Sequence, residues 1–108
     1  MGVHNPSGER KVARQIVRTL SAGVFFAEVE SRKGDEVVLT NARRLWYWSG
    51  AASLSEMAVK GVSNPNACKF PAPVPRETVL GVIEILDVTE QAAATLDSVP
   101  IWTVHPEE

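Results

Sequence analysis

The sequence has one cysteine, Cys68, and two histidines, His4 and His105, near opposite ends of its 108 residues. A single cysteine excludes an intramolecular disulfide and any thiolate-rich metal site. The histidines share no ligand-like spacing with each other or with Cys68, so no metal or other cofactor is expected. No apolar run approaches the length of a membrane span, and the polar start Met1–Arg10 lacks a signal peptide's apolar region. A cytoplasmic site of action without a membrane partner is the expectation. Walker lysine loops, HExxH, GxSxG and Gly-rich dinucleotide loops are all missing. Neither histidine has a recognisable nucleophile partner, so no catalytic residue is named and no enzyme is expected. The carboxylates Glu28, Glu30, Glu84 and Asp87 alternate with strand residues, and a solvated strand face explains them.

Hydrophobic content of 44% and charged content of 22% suit a single globular domain. That domain is assigned to residues 11–108, after a flexible tail over 1–10 containing Gly2, Asn5, Pro6, Ser7 and Gly8. The net charge of −2 conceals an asymmetry. Residues 1–54 carry eight Lys/Arg against five Asp/Glu, whereas residues 55–108 carry three against eight. An acidic second half argues against polymeric DNA or RNA, which favours a basic surface. A small phosphorylated ligand needs only a local positive patch.

Alternation and turn residues predict an α+β domain, a small antiparallel sheet or partly closed barrel of about five strands with two short helices. A β-leaning run over Lys11–Thr19 meets a bend at Leu20–Gly23, and Val24–Glu30 continues as a strand. Arg32-Lys33-Gly34-Asp35 makes a hairpin to Glu36–Thr40. Ser53 and Glu56 form a capping box for a short helix that Gly61 closes in a left-handed cap. Val62–Pro75 is a proline-rich loop with Phe70 as its anchor and Cys68 as a small buried residue. Glu77–Val88 reads as one long strand, with Gly81 allowing a bulge or close contact. Thr89 caps a second helix over Glu90–Leu96, and Pro100–Val104 is a final edge strand.

Recognition chemistry concentrates in Asn41-Ala42-Arg43-Arg44-Leu45-Trp46-Tyr47-Trp48-Ser49-Gly50-Ala51-Ala52-Ser53. Guanidinium groups fork onto phosphate, and indole or phenol faces stack on bases. The candidate ligand-binding residues are Arg43, Arg44, Trp46, Tyr47, Trp48, Ser49 and Ser53, with Ser21 joining from the first bend. Strand alternation puts Arg43, Leu45 and Tyr47 on one face and Arg44, Trp46 and Trp48 on the other, so register leaves open which face is buried. The bland alternative is that the aromatics are core and Ser53 only a cap.

Arg18-Thr19-Leu20-Ser21-Ala22-Gly23-Val24, Asn41 through Ser55, and Cys68-Lys69-Phe70-Pro71 together resemble a widespread set of small tailed-phage proteins. The resemblance runs from about Val12 to Trp102; the tail before Lys11 departs from the usual short start. That set is similar to phage anti-defence proteins that bind cyclic oligonucleotide immune signals as oligomeric sponges. The resemblance implies a cyclic dinucleotide-type ligand that is sequestered rather than cleaved, in the host cytoplasm. Trp102 on a sheet edge adds an expectation of a homo-oligomer. A phage structural or protein-interaction protein is the competing class, and a single-stranded nucleic-acid binder the third.

Overall fold

The computed structural model describes residues 13–104, so the expected tail over 1–10, His4 and His105 lie outside the described residues. Five strands form one antiparallel sheet: β1 (Arg14–Thr19), β2 (Val24–Lys33), β3 (Glu36–Arg44), β4 (Val74–Val79) and β5 (Val82–Asp87). Two helices accompany it, α1 (Leu54–Lys60) and α2 (Glu90–Asp97). The domain is α+β.

The first three strands are the meander that their alternation implies. Thr19 organises the first bend, donating its hydroxyl to Gly23 O at 2.8 Å and accepting Ala22 N at 2.7 Å. Gly34 closes the next hairpin at φ 63°. The run Glu77–Val88 is not one strand. Gly81, at φ 74°, breaks it, and the two halves take opposite edges in the order β4-β3-β2-β1-β5.

That order forces the sheet to curl. Three Cα steps join Val79 to Val82, a reach of at most about 11 Å. Flat, the edge strands of a five-stranded sheet would stand roughly 19 Å apart, four strand spacings. The edges therefore draw together at one end, fixed by Leu20 N to Gly81 O at 2.8 Å and Val82 N to Asp35 O at 3.0 Å. β4 and β5 remain the two ends of the ladder, so the barrel stays open. Pro75 fits edge strand β4, where its missing donor leaves no ladder bond unmade.

A curled sheet buries both faces. Val17, Phe25, Val37, Leu39, Ala42 and Val79 fill the inside of the curl. Ile16, Phe26 and Leu45 face outward onto Met57, Ala58, Phe70, Leu96 and Val99 under the helices. Adjacent residues such as Phe25 and Phe26 are thus both buried, which explains the unbroken apolar stretch of β2. Asn41, at φ 50°, is the extra residue of a bulge where the β2–β3 register shifts.

Both helix starts follow their caps. Ser53 Oγ accepts Glu56 N at 3.1 Å, and Thr89 Oγ1 accepts Ala92 N at 3.0 Å. Glu56 reaches back to Ala52 N at 2.7 Å, one residue earlier than a reciprocal box places it. Gly61 ends α1 with its N–H on Met57 O at 2.8 Å, but φ 79° with ψ −154° is not the expected left-handed cap. The loop before β4 contains a 3-10 turn, Pro65–Ala67. The expected final strand reduces to a single parallel bridge, Phe70 with Ile101. No described helix is long and apolar enough to cross a membrane.

Candidate functional site

The two arginines at the end of β3 point to opposite faces and do different work. Arg43 lies on the helix side, its guanidinium 5.4 Å from the Phe70 ring centre. Its Nε donates to Pro71 O at 3.1 Å. Its Nη2 donates to Phe70 O at 3.1 Å, Val99 O at 2.9 Å and Pro100 O at 3.1 Å. A longer contact of 3.5 Å joins Nη1 to Leu96 O. Burial pulls this guanidinium below its usual pKa, with Asp97 opposing. The fork that would grip a phosphate is occupied by main-chain carbonyls, and Arg43 fastens residues 70–71 to 96–100.

Arg44 stacks 4.5 Å over Phe25, at the mouth of the curl. It donates to Ala22 O and lies 3.7 Å from Glu77. Through Ala22, Arg44 meets the bend that carries Ser21, itself exposed. Its side chain keeps more than a third of its surface in solvent. Of the two arginines, Arg44 retains surface for a ligand.

The aromatic residues divide as well. Trp46 is 65% exposed and Tyr47 is 50% exposed, whereas Trp48 packs against the cluster under the helices. Trp48 is half-buried against that core. Tyr47 forms an antiparallel bridge with Lys69, its N–H on Lys69 O at 3.3 Å and Lys69 N on Tyr47 O at 2.8 Å. Lys69 Nζ sits 5.9 Å from the Tyr47 ring centre and 5.6 Å from that of Trp102. Sequence reasoning left Lys69 out of the site, although it lies within one of the motifs that carry the phage resemblance.

The serines hold the loop together. Ser53 is the α1 cap; Ser49 N donates to Cys68 Sγ at 3.4 Å, and Ser49 Oγ accepts from Asn64 Nδ2 at 3.5 Å. Gly50, at φ 94°, lies so close to Ser63 that an added Cβ would stand 2.6 Å from its backbone nitrogen. The small residues after Trp48 thus allow a second backbone segment to approach. Among the described residues, no hydrogen bond joins Ser21 to Ser49 or Ser53.

A concavity lies away from these residues. A cleft of about 870 Å³ beside α2 is lined by Arg14, Glu28, Asn41, Glu90 and Asp97 among others, and by none of the candidate residues. Arg14 grips Asp97 with both arms at 2.6 Å and covers Phe26 at 4.6 Å. Three carboxylates around one paired arginine repel phosphate, so this cleft does not suit an anion. The strand carboxylates serve pairing: Glu30 with Arg76 at 3.0 Å, Glu84 with Arg18 at 2.8 Å, and Asp87 with Gln15 at 2.8 Å. A smaller cleft of about 220 Å³ is lined by Arg43 together with Arg14, Asp97 and Ile101, while the rings and cations around Tyr47 and Lys69 form an open surface.

No curated protein and no solved structure matches the chain. One family model does, over residues 12–96, a span that contains every candidate residue and Lys69 but stops short of Trp102. The chain belongs to that family, the domain of unknown function DUF6948.

Proposed function

We propose that this protein binds a cyclic oligonucleotide of the cyclic dinucleotide type and sequesters it uncleaved, as a phage sponge for an immune signal in the host cytoplasm. The observation that carries this reading is the exposure of Trp46 and Tyr47, 65% and 50%, on a strand end that also presents Arg44. Large aromatic faces left in water beside cations suit a ligand that offers flat bases and phosphates together. The resemblance to small tailed-phage proteins centres on the same stretch. Sequestration requires affinity without a nucleophile or base, and the site has the composition of a binding surface.

Native mass spectrometry of protein purified from cells making cyclic nucleotides tests the reading. A retained mass equal to an intact cyclic dinucleotide or trinucleotide is expected, with the released ligand uncut on chromatography. Absence of any retained ligand, together with no heat on titration with a panel of such molecules, would sink it. Trp46, Ile101, Trp102 and Val104 are exposed apolar side chains. That exposure favours, as the second reading, a protein-interaction or phage structural role. Under it the same titrations stay silent. A single-stranded nucleic-acid binder is disfavoured by the acidic second half of the chain.

A further inference from the structure

We infer that Lys69 and Trp102, with Tyr47, form the phosphate-and-base contact of this surface: Lys69 takes the phosphate while the two rings take bases. This rests on the nucleotide-binding reading above and assigns it residues.

The geometry begins in the backbone. Tyr47 and Lys69 exchange both main-chain hydrogen bonds, so they stand directly opposite each other. Trp102 N donates to Phe70 O at 3.0 Å, which seats the tryptophan beside the same short ribbon. The result is one ammonium placed near two ring faces, at 5.9 and 5.6 Å. Neither ring is buried: Tyr47 is 50% and Trp102 38% exposed.

Arg43 explains why three such mobile side chains stay together. Its carbonyl bonds fall on Phe70, Pro71, Val99 and Pro100, the residues just after Lys69 and just before Trp102. It is a positioning residue: it fixes the two segments, and their carbonyls occupy its guanidinium. Arg43 is thereby occupied, and Lys69 is the exposed cation on this ribbon.

An ammonium over an exposed ring is held weakly, because water competes for it. A phosphodiester oxygen offers a charge-assisted hydrogen bond, which is stronger. When Lys69 turns to a phosphate, both ring faces become available to the flanking bases, and stacking tolerates either purine or pyrimidine. Each phosphodiester of a cyclic oligonucleotide joins two nucleosides, so one ligand can satisfy the cation and both rings at once.

The test is calorimetric titration of the whole protein with cyclic dinucleotides bearing adenine and guanine, for wild type, Lys69→Met, Lys69→Arg, Trp102→Ala and Trp102→Phe. Lys69→Met and Trp102→Ala should each weaken binding at least tenfold, while Lys69→Arg and Trp102→Phe keep most of it. Binding by Lys69→Met should also lose part of the salt dependence seen in wild type. Melting curves should coincide for wild type and Lys69→Met, since the lysine is exposed. Undiminished binding in Lys69→Met would overturn this assignment and leave the nucleotide-binding reading standing. A wild type that binds none of the probes would overturn both.

Discussion

At the residue scale, adjacent arginines of one motif have opposite meanings. Arg43 satisfies carbonyls at Phe70, Pro71, Val99 and Pro100 that lie between separate segments. A lysine has one charged nitrogen and no planar fork, so it cannot reach them together. Arg43→Lys should cost about 1–3 kcal/mol, the range for bonds to a charged donor, with Phe70 O still held by Trp102 N. Arg44→Ala, with more than a third of its side chain in solvent and a long ion pair, should cost less, about 1 kcal/mol, mostly from the lost stack on Phe25. Urea denaturation of both variants decides it, and similar losses would contradict the division. Asp97 offers a pH test. The hydrogen bonds from Arg14 hold its carboxyl below the usual carboxylate pKa, with the Arg14 and Arg43 charges acting in the same sense and burial against them. A carboxyl whose folded pKa is depressed contributes stability above its unfolded value, near 3.9, and loses it as pH falls through the lower folded value. Wild type should therefore lose stability in that acid window, and Asp97→Asn should lose less. Melting temperature against pH measures both.

At the element scale, the helices are set by their ends. Seven and eight residues are too few for either to stand alone, so caps and packing decide them. Gly61 is where α1 meets α2: a Cβ there would lie 1.9 Å from Thr95 Oγ1, in a backbone conformation that disfavours side chains. Thr95 Oγ1 is also the acceptor for Val62 N at 3.0 Å, so pushing it away removes a second contact. Gly61→Ala should destabilise by more than about 1 kcal/mol, from the strained φ alone. Gly34→Ala is the internal control: it also has positive φ, but nothing lies within 4 Å of the added carbon. Equal losses in thermal melts of the two variants would show that the α1–α2 contact contributes nothing.

At the scale of the whole molecule, curling the sheet consumes both of its faces, and apolar surface is left at the rims. Leu20, Leu80 and Ile83 lie at the end where β4 turns into β5, and Trp46, Ile101 and Trp102 at the ribbon. We propose that this surface meets a second copy of the chain. A homo-oligomer is expected, and light scattering during size-exclusion chromatography at micromolar protein, with and without a cyclic dinucleotide, checks it. A mass of 11.7 kDa under every condition would count against it.

Local physics determined much of this protein from the sequence. Ser53, Thr89 and Gly61 mark helix ends because capping involves residues only a few positions apart. The meander, the buried Phe70 and the buried Cys68 were legible for similar reasons of alternation and apolarity. Tertiary structure decided the rest. Glu77–Val88 looks like one strand because Gly81 carries no record of which edge each half will join; that depends on pairing with β3 and β1. The faces of Arg43 and Arg44 were ambiguous because a curled sheet buries both sides, and only the helices show which arginine meets carbonyls. Lys69 gains meaning from Tyr47 and Trp102, 22 and 33 positions away in the chain. Cross-strand contacts of that separation follow from register and curl, which no short window of sequence contains.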